Sequence, residues 1–354
     1  MSSLPHTRLC NQQVAASRFS SPAGLVAWMG AMQAQDYPMV RWAVGLRVPG
    51  ATETTIHEAL ARGEILRTHV LRPTWHLLAA ADIRWMLELT APHIRSANRA
   101  RMQELELTPE VLSRSRALIE KNLRDGHHLT RQDLMQAHEQ AGIPTQDNRS
   151  AHLMMAAELD GLVCSGIDQG NQQTYALLEE RAPHARTMPR EEALAELALR
   201  YFRSHGPATL RDFIWWSGLP VGDARHALEM VKPRLVAVPQ HTDTGWMDAE
   251  HQTTQGDPAG LYLLPAFDEY LISYQDRSAI LPPEHFQKAV SSNGVFRPIV
   301  VVDGKIRGLW TRSFKKNQAV VGIQLFDTDD PAIRELIREK AKELGAFWGK
   351  EVVV

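Results

Sequence analysis

The sequence predicts an α+β protein: about three winged helix-turn-helix modules in tandem, followed by a small C-terminal β domain. Three observations carry the prediction. Two helical segments followed by a β-rich hairpin pattern open the chain. The order helix, short strand, capped helix, helix, hairpin then recurs along it. From about Gly260 the pattern changes to short apolar strands with one helix.

Residues up to about Arg18 offer a short helix. The next helix has Ser21 as its cap, Pro22 in its first turn and the apolar run Leu25-Val26-Ala27-Trp28-Met29. Pro38 disfavours helix at Tyr37, so Met32-Gln33-Ala34-Gln35-Asp36-Tyr37-Pro38 reads as the place where that helix runs out. A second helix spans Thr54 to Ala61 and stops at Gly63. Ile65 to Leu78, with Arg72-Pro73 at its centre, reads as a hairpin.

The second unit begins at Thr108-Pro109-Glu110, a helix start that runs to Gly126. Thr130 then caps a helix with Asp133 in the capping-box position, Ser150 to Leu159 is helical, and Leu162 to Leu178 is a hairpin with a polar tip. The third unit has a helix from Pro189 to Ser204, the repeated cap Thr209 with Asp212, a helix from Val221 to Val231, and a wing starting at Leu235. In the tail, Leu261 to Phe267 is a strand and Val295 to Arg312 a hairpin turning at Asp303-Gly304. Ala319 to Phe326 is a strand, Pro331 to Leu344 a helix, and Val352 to Val354 closes the sheet. The boundaries expected are 1–106, 107–182, 183–257 and 258–354. Each unit alone is small and marginal, so the units should pack into one body, with Trp28, Trp215 and Trp216 in its core.

The composition, 44% hydrophobic and 23% charged over 354 residues, is that of a soluble globular protein. No apolar run is long enough to cross a bilayer, and the first residues lack a signal-peptide pattern. Two cysteines, Cys10 and Cys164, form no disulfide framework or zinc pattern, so a reducing cytoplasmic setting is expected. There is no P-loop, no dinucleotide fingerprint, no nucleophile elbow and no zincin motif, so no cofactor and no metal are expected. The net charge of −2 confines any polyanion-binding surface to local patches. Candidates are Arg84, Arg95, Arg99 and Arg101, then Arg62, Arg67 and Arg72, and Arg312, Lys315 and Lys316; the competing reading of each is a solvated face, the commoner case for scattered arginines.

Several stretches match one family together. They are Gln33 to Pro38 with Trp42-Ala43-Val44-Gly45-Leu46-Arg47, Arg67-Thr68-His69-Val70-Leu71-Arg72-Pro73-Thr74-Trp75-His76, Leu264 to Tyr270, Arg277-Ser278, and Asn293 to Pro298. Over nearly its whole length the chain resembles the winged-helix DNA glycosylases of the AlkZ/YcaQ type. The resemblance implies a β-barrel-like C-terminal domain. It also implies that Gln33 and Gln35, as a Gln-x-Gln motif, hold the water that cleaves an N-glycosidic bond. The implied partner is double-stranded DNA containing alkylated purines, including bulky adducts and interstrand crosslinks. The implied setting is defence or self-resistance against a DNA-alkylating agent. A monomer, nucleoid-associated when bound to DNA, is expected.

Amides suit this reaction for a physical reason. A purine alkylated on a ring nitrogen is cationic and leaves easily, so little acid–base help is needed. Amide carbonyls can accept hydrogen bonds from water and fix it in an attack geometry. Residues two apart share a face only in extended chain, so Gln33 and Gln35 converge only if the backbone straightens near Ala34. Asp36 is a candidate for cation stabilisation or base work. Arg67, Thr68, His69, Arg72, Thr74 and His76 of the hairpin are candidates for DNA or lesion contact; the competing reading is a structural wing whose Trp75 is core. Arg312, Lys315 and Lys316 are candidates for the DNA backbone. A non-catalytic winged-helix regulator is the alternative function, but Ser150 to Leu159 carries little with which to read bases. A protein–protein scaffold rests only on the mild net charge.

Overall fold

The protein was analysed as a computed structural model that describes residues 3–240, 243–250, 260–327 and 330–354. The expected boundary at 257 and 258 lies outside these. Helix α1 (Leu4–Asn11) leads to α2 (Pro22–Met29), capped by Ser21 as expected. The chain then departs from the sequence reading. Helix α2 stops at Gly30, whose φ of +78° suits only glycine, and Met32–Gln33 forms a short strand, β1. A new helix, α3 (Tyr37–Gly45), follows, with Asp36 as its cap. Pro38 therefore starts a helix rather than stopping one: in the first turn its missing N–H costs nothing and its fixed φ is already helical.

Helix α4 (Glu53–Ala61) and the hairpin β2 (Ile65–His69) and β3 (Trp75–Ala79) complete the first unit. Strand β1 adds to β3, giving the sheet order β1-β3-β2. The 22-residue α5 (Ile83–Glu104) was not legible in the sequence; it accommodates Pro92 and carries Arg84, Arg95, Arg99 and Arg101. The second unit is α6 (Pro109–Leu123), β4 (Leu129–Thr130), α7 (Arg131–Gln140), α8 (Arg149–Leu159), β5 (Val163–Ser165) and β6 (Thr174–Leu177). Its sheet order, β4-β6-β5, repeats that of the first. After the single turn α9 (Leu178–Arg181) come α10 (Arg190–Ser204), α11 (Leu210–Ser217), α12 (Val221–Val231) and the pair β7 (Leu235–Gln240) and β8 (Asp243–Asp248). Here one bridge from Ala208 to Trp246 takes the place of the first strand. Both expected capping boxes form, Thr130 with Asp133 and Thr209 with Asp212.

The tail is a curled five-stranded sheet. Strand β9 (Leu261–Leu264) and the turn α13 (Glu269–Ile272) are followed by α14 (Phe286–Ala289) and β10 (Ile299–Val302). Strands β11 (Lys305–Phe314) and β12 (Gln318–Leu325), helix α15 (Pro331–Trp348) and β13 (Glu351–Val353) finish it. The order is β13-β12-β11-β10-β9, with β13 parallel to β12.

The cores cross from unit to unit. Leu25, Val40 and Ile56 of α2, α3 and α4 share one core with Leu263, Trp310, Val321 and Leu344 of the tail. Leu66 and Leu78 of the first hairpin pack instead with Trp85, Leu197, Phe213 and Leu228. Ile65 and Leu77, on the opposite face of the same hairpin, belong to the tail-facing core. The first hairpin is thus an interior element covered on both faces, rather than a wing exposed to solvent. Ile119, Leu134, Leu153 and Tyr175 form a separate core in the second unit. Among the tryptophans, Trp28 and Trp216 are buried as expected, but Trp215 is 39% exposed.

Candidate active site

The Gln-x-Gln motif lies at the junction of β1 and α3. Gln33 pairs with His76 across the sheet, and Ala34 N–H donates to Trp75 O at 2.7 Å, so the backbone is extended up to Ala34. Gln33 is buried, at 5% exposure, whereas Gln35 is exposed. Thr74 Oγ1 donates to Gln33 Oε1 at 3.4 Å. The Gln33 NH2 group and the whole Gln35 side chain have no hydrogen-bond partner among the described residues. Asp36 Oδ1 accepts Met39 N–H at 3.1 Å as the α3 cap, the position that Thr130 and Thr209 hold in the other units.

Glu269 anchors the motif from 236 positions away. Its Oε1 accepts Gln33 N–H at 2.5 Å. Its Oε2 accepts from Trp216 Nε1 at 3.2 Å and from Ser273 Oγ, and lies 3.5 Å from His205 Nε2. Burial raises the Glu269 carboxyl, but His205 and the donors Ser273 and Gln33 N–H outweigh it and bring it down to about 2. Glu269 is therefore an ionised, saturated acceptor that fixes the motif's backbone. Beside it, Asp268 takes Arg47 in two hydrogen bonds of 2.8 Å, both side chains fully buried. Adjacent acids thus bind the end of α3 and the motif strand to the same turn.

The hairpin residues divide by face. On one face, Arg67 donates to Ala34 O at 3.0 Å and Gln173 Oε1 at 2.7 Å, and its guanidinium lies 4.3 Å from the Trp75 ring. His69 hydrogen-bonds Glu158, which also accepts Trp75 Nε1 at 3.3 Å. These contacts join the first unit to the second. On the other face Thr68, His76 and Gln33 form a row across the sheet. His76 Nδ1 donates to Thr74 O at 3.0 Å, and burial with the Arg72 charge pushes its pKa down to about 3, so the imidazole is neutral. Its Nε2 and Thr68 Oγ1 are buried without a hydrogen-bond partner. Arg72 is half-buried in the turn.

Arg312 lies on β11 in electrostatic range of Asp36, Glu53 and Arg41; burial, outweighing those acids, lowers its pKa. Lys315 and Lys316 form the exposed β11–β12 turn just beyond it. The other basic groups are mostly paired: Arg95 with Asp160 at 2.6 Å, Arg101 with Glu104 at 2.9 Å, and Arg62 with Glu64 at 2.8 Å. Among the described residues no cluster of histidine, cysteine and acidic side chains could hold a metal ion, and no helix is long and apolar enough to cross a membrane.

This geometry has known relatives. The profile of the family described as DNA glycosylase AlkZ-like matches residues 26–347. The chain belongs to the AlkZ-like DNA glycosylase family. A Streptomyces sahachiroi interstrand DNA cross-link repair glycosylase is 24% identical over 319 residues, covering 82% of each chain. The solved structure of Streptomyces sahachiroi DNA glycosylase AlkZ superposes with a TM-score of 0.79 at 21% identity, covering 99% of each chain, which shows the shared fold. The AlkZ-like chain is accordingly a DNA glycosylase acting on DNA. Sequence reasoning found the motif but missed its anchors. Asp268 and Glu269 lie within the family-matching stretch Leu264 to Tyr270, but only the tertiary fold brings Arg47 and Gln33 to them.

Proposed function

We propose that this AlkZ-like chain is a monofunctional glycosylase that hydrolyses the N-glycosidic bond of alkylated purines in duplex DNA, bulky adducts and interstrand crosslinks among them. Gln33 and Gln35 position the attacking water. The observation that carries this reading is the unused hydrogen-bonding capacity of two amides on a held backbone, one at the edge of the interior and the next in solvent. Water between them can donate to their carbonyl oxygens and present its lone pair to the sugar carbon. Holding it there removes part of the entropic cost of attack. The cationic base leaves without a strong acid. The Streptomyces relative named for crosslink repair supports the crosslink part.

Asp36 contributes mainly by starting α3. Arg72 and Thr74 face the lesion, while Arg67, Thr68, His69 and His76 shape the sheet behind it. Arg312, Lys315 and Lys316 approach the DNA backbone. We read the three helix-and-sheet units as winged helix-turn-helix modules bounded near 1–106, 107–182 and 183–257, with the β domain from 258 and the protein acting as a monomer.

The test is incubation with duplex DNA bearing a 7-alkylguanine, followed by alkali and detection of strand breaks at the abasic site. Wild type should cut, and the Gln33→Ala/Gln35→Ala variant should be slower on the order of 100-fold. Binding by both proteins without cleavage by either would leave a non-catalytic DNA-binding protein.

A further inference from the structure

Leu71, in the turn between β2 and β3, has a φ of +63°, a region that leucine avoids. Two groups from α5 hold it there: its N–H donates to Thr90 Oγ1 at 3.2 Å, and His93 Nε2 donates to its carbonyl at 2.8 Å. The strained residue sets the direction of its neighbour, Arg72. The Arg72 stem lies against Gly218, where a β-carbon would come within 3.0 Å of Cγ. The guanidinium carbon ends 5.7 Å from the centre of the Trp215 ring, and Arg277 approaches the same ring at 5.2 Å. The indole is fixed too, its Nε1 donating to Ile272 O at 2.7 Å.

Three features of this cluster are costly unless something binds there. Trp215 keeps part of its large apolar ring exposed, although the next residue, Trp216, is fully buried. Arg72 and Arg277 lie in range of each other's charge, and among the described residues neither forms an ion pair. Arg72 Nε and Arg277 Nη2 are buried with no hydrogen-bond partner. An unmet buried donor costs roughly 1–3 kcal/mol, more for a charged group. Burial, with the Arg72 charge adding to it, brings the Arg277 pKa down to about 10 against the pull of Asp212 and Asp276. An anion against the two guanidiniums would relieve the repulsion between them. A bare phosphate would leave the indole uncovered; a phosphodiester brings a sugar whose apolar face can cover it.

The cluster also adjoins the motif at two points. Thr74, two residues after Arg72, bonds the Gln33 amide, and Trp216, next to Trp215, bonds Glu269. We propose that Arg72, Trp215 and Arg277 form a site for one phosphodiester and its deoxyribose, beside the nucleotide presented to Gln33. This rests on the DNA glycosylase reading and adds Trp215 and Arg277 to it.

The test measures binding of the full-length protein to undamaged duplex DNA by fluorescence anisotropy over a range of salt concentrations, so it does not depend on cleavage. Arg277→Gln should weaken binding and flatten the plot of log affinity against log salt by about 0.9, the contribution of one phosphate. Arg277→Lys should restore most of the slope. Trp215→Ala should weaken binding about 10-fold with no change in slope. Thermal melts of each variant report folding, and Arg277→Lys keeps the test valid if Arg277→Gln unfolds. Unchanged affinity and slope in Arg277→Gln would overturn the site, while lesion cleavage by wild type would leave the glycosylase reading intact. Two further outcomes also overturn it. Inorganic phosphate could compete as well as DNA, or Trp215→Ala could impair only duplexes with an unpaired base, which would make the ring a base-stacking platform.

Discussion

The Glu269 carboxylate accepts the backbone N–H of Gln33 at 2.5 Å, so an acid from the tail of the chain sets the position of an amide near its start. The bond constrains the strand and not the Gln33 side chain itself. Replacing Glu269 with Gln keeps the shape but removes the charge and introduces a donor among donors. We expect about 3–5 kcal/mol of lost stability, the usual cost of breaking a buried charged network. Cleavage should fall on the order of 100-fold with a smaller change in DNA affinity. Urea unfolding and single-turnover cleavage check the two parts separately.

Acid should unfold the protein in two stages. The folded-state pKa of His76 is near 3, below its ordinary 6.5, so its contribution is complete above 6.5 and lost as pH falls toward 3. Glu269 is depressed from 4.5 to about 2, so its contribution is complete above 4.5 and lost below that. Stability should begin to decline below about pH 6.5 and steepen below about 4.5. A His76→Gln variant should shrink the first stage in a pH series of thermal melts, the remainder coming from His128, His138, His152 and His205, whose pKa values burial also lowers; an unchanged profile would show that His76 does not contribute.

Asp36 can be separated from catalysis because asparagine caps a helix as well as aspartate does. Asp36→Asn should keep both stability and cleavage, while Asp36→Ala should lose about 1 kcal/mol. Loss of cleavage in a stably folded Asp36→Asn protein would assign the carboxylate a chemical role.

Glu158 should matter for stability and not for the salt dependence of DNA binding. It takes His69 and Trp75 from the first unit while buried in the second. Glu158→Ala leaves both donors unmet and should cost about 3 kcal/mol or more. A variant that kept its melting temperature but lost DNA affinity would place His69 against DNA.

Lys315 and Lys316 make the opposite case. They are exposed at the tip of the β11–β12 turn, so Lys315→Ala/Lys316→Ala should leave the melting temperature within a degree or two. The salt slope of duplex binding should fall by about 0.9 for each lysine that meets a phosphate.

Local patterns were legible where local physics decides. The caps Ser21, Thr130 and Thr209 and the hairpin turn at Asp303-Gly304 form as their residues predict. The motif was legible as residues but not as structure, because Pro38 has two meanings: it stops one helix and starts another. The repeat held the answer, since Asp36 occupies the cap position of Thr130 and Thr209. The hairpin's interior setting was not legible, since alternation of Ile65, Arg67 and His69 with Leu66 and Thr68 looks the same whether one face or both are covered. Nor could Glu269 be paired with Gln33, because contacts across 236 positions leave no mark in a single sequence.

Phe347 packs so closely on Gly45 that a β-carbon there would overlap the ring. The last helix is thereby seated on the helix that the motif begins, just as Glu269 is seated on the motif's strand. During synthesis both glutamines emerge early, yet neither support exists until most of the polypeptide has been made. A polypeptide that stopped short of Glu269 or Phe347 would carry Gln33 and Gln35 without the contacts that hold their strand and helix in place.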